Sequence, residues 1–433
     1  MSATFASLAV PSYRLYAMGG VVSNTGTWMG RVAQDWLVLT QLTNHSSTAL
    51  GTVTGLQFLP FLLLAPWTGM IADRFPKRRI MLATQTVLMA SAGLLGALTL
   101  TGAVQLWHVY AAALVQGIAT AVDNPARQTF VSEMVGQGLL ANAVALNSAS
   151  FNLGRLAGPG IAGLLIAAYG TGLTLVANAA SFAAVLTALL LMRPSELHPA
   201  PLARGKGRIR EGLAYVRGRW DIKLIMLLVF VLGTFGMNFQ LTTALMATTV
   251  FGKGATEYGL LASIMAIGSL SAALLSAHRE RPRLRVLIGA LAGFVVASGA
   301  AALAPTYAAF ALALVGCGLA SLTALTTANA LVQLSVDPAM RGRVMALYLA
   351  IFMGGTPLGA PFIGWLGDVA GPRWTIGIGT LTVGLTVAVV GTLLLRRENV
   401  TVSYASQRRP HFRVTVSPVR AEAPTDPTPE PAR

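Results

Sequence analysis

Residues 193–220 read RPSELHPAPLARGKGRIREGLAYVRGRW. This is the longest polar stretch inside the chain, and its flanks decide the fold. Before it lie apolar runs at about 14–40, 50–72, 79–101, 105–126, 141–166 and 171–192. After it lie runs at about 222–248, 258–277, 285–304, 306–331, 342–366 and 374–395. Each is long enough to cross a bilayer, which takes about 20 mostly apolar residues. The expected fold is therefore an all-α membrane protein, with twelve transmembrane helices in two six-helix pseudo-symmetric bundles. We expect an N-terminal bundle over 1–192, a cytoplasmic linker over 193–221, a C-terminal bundle over 222–397 and a disordered cytoplasmic tail over 398–433. The tail is polar and proline-rich. The linker's second half, IREGLAYVRGRW, has the pattern of a short amphipathic helix on the membrane surface.

Composition agrees with that reading. Of 433 residues, 54% are hydrophobic and 11% are charged, and mean hydropathy is +0.65. An ordinary soluble domain carries about 25% charged residues. Soluble, collagenous and disulfide-rich secreted classes are excluded. Cys317 is the single cysteine, so there is no intrachain disulfide and no cysteine metal site.

The net charge of +16 is a topology signal. Place the N-terminus in the cytoplasm. Of the 31 Lys and Arg, only Lys253 and Arg373 then fall in outer loops, and only Arg31 and Arg155 fall inside spans. All others lie on the cytoplasmic side, as the positive-inside rule requires. We expect a multi-pass inner-membrane protein with both termini cytoplasmic. Its basic loops would meet anionic lipid headgroups, not nucleic acid. The dozen residues before the first span show no charged leader region, so no removable signal peptide is expected.

The halves resemble each other. RLAGPGIAG at 155–163 and TPLGAPFIG at 356–364 align Gly158 and Gly163 with Gly359 and Gly364. Upstream, VALN from Val144 matches MALY from Met345 at the same offset. Many secondary transporters are built from such repeats.

Several motifs name a family. GMIADRFPKRRIM, from Gly69 to Met81, resembles the loop Gly-x-x-x-Asp-Arg-x-x-Lys/Arg-Arg of the major facilitator superfamily, although Phe75-Pro76 replaces the usual small residue. In the fifth span Gly154, Gly158 and Pro159, with Gly163 one position late, resemble that superfamily's antiporter motif. DNPARQTFVSEMV (123–135) and the segment after it resemble the bacterial enterobactin-exporter-like and drug-efflux subgroup. The equivalent loop after the eighth span, SAHRERPRLR, lacks the Gly and Asp.

The resemblance implies roles. Asp73 would meet the positive N-terminal end of the eleventh span when the cytoplasmic side closes. Arg74 would pair with Asp123 beside Arg127. Gly69 would allow close helix approach, and Gly154, Gly158 and Pro159 would pack tightly and bend the fifth span. The cluster would gate the conformational cycle.

Charges inside the hydrocarbon are costly and normally face a partner or a wet cavity. Asp35 is the only acid well inside a span. Arg31, four residues earlier, shares its helical face. One expectation is a structural pair of Asp35 with Arg31 or Arg155. The other makes Asp35 the proton-coupling group. A position at the headgroups is the third. Candidate substrate contacts on the first span are Asn24, Trp28, Arg31 and Gln34. Elsewhere they are Asn152, Arg155, Asn238, Gln240, Tyr348 and Phe352. Two arginines beside one acid suit an anionic or zwitterionic ligand.

No phosphate loop, His-Glu-x-x-His or Gly-x-Ser-x-Gly occurs. The chain is therefore expected not to be an enzyme and to use no cofactor or metal. The first functional reading is a monomeric, proton-coupled exporter of amphipathic small molecules, either drugs or a secreted metabolite. The second is a specific exporter of an anionic metabolite such as a siderophore. The third is a membrane scaffold or sensor that transports nothing.

Overall fold

The computed structural model describes residues 3–193, 196–197, 209–277, 282–337, 340–397, 401–405 and 411–415. The first half comprises α1 (Pro11–Leu37), α2 (Ser47–Leu63), α3 (Ala65–Arg74), α4 (Lys77–Leu100), α5 (Leu106–Met134) and α6 (Gln137–Leu191). α7 (Ile209–Gly218) belongs to the linker. The second half runs through α8 (Trp220–Val231), α9 (Phe239–Leu245), α10 (Ala255–Ala277), α11 (Leu284–Leu303), α12 (Tyr307–Ser335), α13 (Arg341–Gly354), α14 (Thr356–Ala370) and α15 (Trp374–Arg397).

All twelve expected apolar stretches fall on helix. Among the described residues, eight segments are long and apolar enough to cross a membrane, or nine if the bent pair α2–α3 counts as one span. One of the eight holds 54 residues, far more than one crossing needs. It breaks at Gly170, whose φ of +81° is open to glycine and strained for other residues. That break separates the fifth and sixth spans. α1 and α5 are long enough at 27 and 29 residues, but they carry Arg31 and Asp35, and Asp123 and Arg127.

Local sequence explains the ends and breaks. Pro11 starts α1, where a missing N–H costs nothing. Ser46 and Thr306 accept from the backbone N–H groups of Ala49 and Ala309, capping α2 and α12. α2 ends at Leu63 and α3 starts at Ala65, and the second span bends by 65° between Leu63 and Trp67. The seventh span, expected as one helix, is interrupted by a π-helical turn at Leu232–Gly236, between α8 and α9. The side-chain amide of Asn238 donates to the Thr234 carbonyl there at 2.8 Å. Such breaks in membrane helices occur where the backbone lines a cavity.

The chain forms two units, Met1–Gly384 and Leu385–Arg433. The first contains the first half and the second half up to Gly384. Within it, α1 packs on α6 and α4 on α5 and α6, while α10 and α11 pack on α12. The halves meet where α2 lies against α14 and α6 against α10. α7 sits under the second half. Its Glu211 pairs with Arg343 at 2.7 Å, and Tyr215 donates to Asp337 at 3.2 Å. The expected surface helix is thus also a brace on α13. The second unit holds the last turns of α15 and an antiparallel hairpin, β1 (Thr401–Ala405) with β2 (His411–Thr415). The hairpin falls within 398–433, the stretch read from the sequence as a tail. Residues 416–433 lie outside the described set.

Candidate transport cavity

The end of the first unit bearing Arg78, Arg219 and Arg343 is its basic face. The end with the turns at Thr43–Ser46 and Gly252–Gly254 is its far face. Between them are two adjoining cavities of about 290 Å³ each. Trp28, Arg31, Phe58, Phe151 and Met353 line both.

The first cavity lies between the halves. Arg31 stands over the Trp28 ring at 5.0 Å and the Phe58 ring at 6.0 Å. Arg155, from α6, stands over the same Trp28 ring at 5.8 Å. Phe151 meets Trp28 edge-on. Across from them the interrupted seventh span contributes Met237, Asn238 and Gln240, and the eleventh contributes Phe352. A guanidinium over an aromatic face is stabilised without a counter-ion. Neither arginine forms an ion pair among the described residues. This leaves two cations for a ligand in an apolar, aromatic chamber.

Asp35 is 1% exposed and takes neither expected partner. Its Oδ2 accepts from Gln240 Nε2 at 2.7 Å and from Tyr258 Oη at 2.9 Å. Trp36 stacks on Tyr258, with ring planes 18° apart. The carboxylate of the first half is therefore held by donors of the second. The Asp35–Arg31 pairing expected from i,i+4 spacing is absent, because Arg31 turns to its rings.

The second cavity extends through the first half, past Asn24, Gln57, Gln85 and Gln116 to Asp123 and Arg127. Asn24 donates to Ser150 at 3.0 Å. Gln57 donates to Gln34 at 3.4 Å, and the Gln34 amide nitrogen has no partner. Asp123 accepts from Thr84 at 2.6 Å, Gln85 at 3.1 Å and Arg127 at 2.7 Å. Arg74, expected to pair with Asp123, is exposed at the end of α3. Asp73 is also exposed, and a Cβ on Gly69 would meet nothing within 4 Å.

Two glycines of the fifth span lie close against α1. A Cβ on Gly154 or Gly158 would come within 2.8 or 2.7 Å of α1 backbone atoms. The Pro159 carbonyl abuts Gly259 on α10. Two expected contacts lie elsewhere. Asn152 donates to Ser148 on its own helix. Tyr348 is buried and donates to the Leu325 carbonyl. Neither lines the two cavities described above. Sequence reasoning missed Tyr258, Gln57 and Phe58. Nothing marks them locally, since each is one residue in an apolar helix.

The far face is closed. The halves touch there through Gly51 against Ala360, Gly163 against Ala255 and Asp35 against Tyr258. Ser263 also donates to the Leu156 carbonyl at 2.6 Å. A family model described as "Transmembrane secretion effector" matches residues 2–421. The staphyloferrin A transporter of Staphylococcus aureus (strain NCTC 8325 / PS 47) is 26% identical over 84% of this chain and 91% of its own. The multidrug efflux pump Tap of Mycolicibacterium fortuitum is 27% identical, over 82% and 89%. The enterobactin exporter EntS of Citrobacter koseri (strain ATCC BAA-895 / CDC 4225-83 / SGSC4696) is 26% identical, over 89% and 91%. Among solved structures, a bacterial homologue of the lysosomal transporter Spinster, inward-facing and unoccupied, superposes with a TM-score of 0.73. It is 16% identical and covers 89% of this chain and 98% of its own. A point mutant of the nucleoside transporter NupG superposes at 0.72, with 13% identity over 88% and 99%. With the helical fold and the central cavity, these matches assign the chain to the transmembrane secretion effector family of the major facilitator superfamily, a family of multi-pass membrane transporters and not of enzymes.

Proposed function

We propose that this protein is a secondary active exporter of amphipathic small molecules, working by alternating access and driven by proton antiport. The observation that carries the reading is Asp35, a carboxylate of one half bridged to Gln240 and Tyr258 of the other, beside an aromatic cavity. Positive-inside placement makes the basic face cytoplasmic. The closed far face then corresponds to an inward-open state. Both Gln240 and Tyr258 donate, so the bridge is strongest to an ionised Asp35. A proton taken up from outside would leave Asp35 toward the cytoplasm. The ionised group would then take both hydrogen bonds and hold the far face shut while substrate loads. Guanidinium groups stay protonated and cannot carry that proton.

The test is transport in sealed vesicles with a pH gradient as the only energy source. A panel drawn from the susceptibility and export profile of a deletion strain supplies the substrate. Asp35→Asn should abolish accumulation against a gradient while downhill exchange persists. Uphill transport by the variant would remove Asp35 as the coupling site.

A second reading is export of one anionic metabolite, such as a siderophore. The placement of Arg31 and Arg155, both on Trp28 and both without an acidic partner among the described residues, favours it. The two readings part on whether uncharged and cationic compounds are carried.

A further inference from the structure

Asp368, at the far-face end of α14, makes three hydrogen bonds to the start of α2. Its Oδ1 accepts from the Ser47 N–H at 2.6 Å. Its Oδ2 accepts from the Thr48 N–H at 2.9 Å and from the Ser46 hydroxyl at 3.1 Å. Those N–H groups have no partner within their own helix, and they sit at its positive end. A carboxylate from the second half therefore caps a helix of the first. The approach depends on small residues. Gly364 lies against the Ser47 carbonyl, and a Cβ on Gly367 would come within 2.9 Å of the Ser47 hydroxyl.

The same pattern occurs at the other end of this helix pair. Gly364-Trp-Leu-Gly-Asp368 closes the eleventh span, and Gly69-Met-Ile-Ala-Asp73 closes the second. Both are Gly-x-x-x-Asp at a helix C-terminal end, but at opposite faces. Asp368 is engaged on α2, while Asp73 is exposed. α13, the first helix of the eleventh span, begins at Arg341 with no side-chain cap.

We propose that Asp368 is a positioning residue for the transport cycle and the reciprocal of Asp73. Asp368 caps α2 and locks the far face. Asp73, in the role its family resemblance implies, would cap α13 and lock the basic face. Only one cap forms at a time, so the resting state is set by competition between two charge–dipole contacts on one helix pair. This rests on the two-state transport reading above, but its test needs no substrate.

In a Cys317→Ser background, Ala255→Cys reports the far face, where Ala255 is 6% exposed, and Met353→Cys reports the cavity. Labelling by a membrane-impermeant maleimide is measured on right-side-out and inside-out vesicles. Asp368→Asn should raise the far-to-basic labelling ratio by about 2- to 30-fold, the span expected of such contacts. Asp73→Asn should lower it similarly. The double variant should return toward the parent, which a merely structural role for Asp368 would not produce. Asp368→Glu should stay nearer the parent than Asn. If Asp368→Asn does not accumulate, Asp368→Ser, a smaller neutral acceptor, should give a shift of the same sign. An unchanged ratio, or a double variant identical to Asp368→Asn alone, overturns the proposal. If labelling shifts as expected but no solute moves, the exporter reading fails and the paired locks stand.

Discussion

Arg155 and Arg31 share one indole, and in the proposed mechanism that arrangement would separate recognition from coupling. The cation–π contacts hold both guanidiniums in the cavity wall while their donors remain free for a ligand. Such contacts contribute on the order of 0.5–2 kcal/mol each. Arg155→Ala should therefore weaken binding of an acidic substrate by about tenfold, near 1.4 kcal/mol. A cationic compound of the same size should bind as before or better. Competition binding in detergent measures both. Equal losses for the two compounds would make Arg155 a packing residue. Trp28→Ala removes the ring under both arginines and should cost more than either arginine alone. The i,i+4 spacing of Arg31 and Asp35 predicts a pair that the structure does not form. It fails because spacing shows what shares a face, not which of several partners around that face wins.

At the scale of elements, the basic loop after the second span ties helices together. Lys77, at the start of α4, pairs with Glu133 of α5 at 2.6 Å, and both side chains are about nine-tenths buried. Arg78 donates to the carbonyls of Leu189 and Leu190 and caps the end of α6. Removing one partner of a buried pair costs about 3–5 kcal/mol, because a charge is left alone in a poor solvent. Lys77→Met should lower the thermal midpoint of the detergent-solubilised protein, and Glu133→Gln should do so less. Arg79→Gln, at an exposed position, should leave it unchanged. Comparable midpoints for Lys77→Met and Arg79→Gln would show that the ion pair adds nothing. In the sequence Lys77 and Arg78 are legible only as positive-inside charges, since their partners lie 56 and 111 residues away. Helix positions are legible because apolar length reports them directly. The break at Leu232–Gly236 is not, because no Pro marks it and it falls where the seventh span lines the cavity; the one between α13 and α14 falls at Gly354-Gly355 ahead of Pro357, where helix-breaking residues mark it.

For the whole molecule, two halves touching at the far face would be one end of the proposed rocking motion. The repeat offset at Gly158 and Gly359 shows in the sequence that the halves are related. Only the structure shows which face is sealed, since both states use the same helices and the difference between them is small in free energy. Rocking makes a specific demand at the basic face. Arg74 and Gly342 are both exposed there, at the end of the second span and the start of the eleventh. Cysteines at these two positions, in a Cys317→Ser background, should form a disulfide poorly in the state described here. They should form it readily once the basic face closes and Asp73 reaches α13. Asp368→Asn should raise the crosslinking yield, because it releases the opposing lock. Asp73→Asn should lower it. A formed crosslink should stop transport, and reduction should restore it. Yields that ignore substrate, pH and both aspartate substitutions would mean that the halves do not exchange faces about α2 and α14, and the cavity would then need another route to the far side.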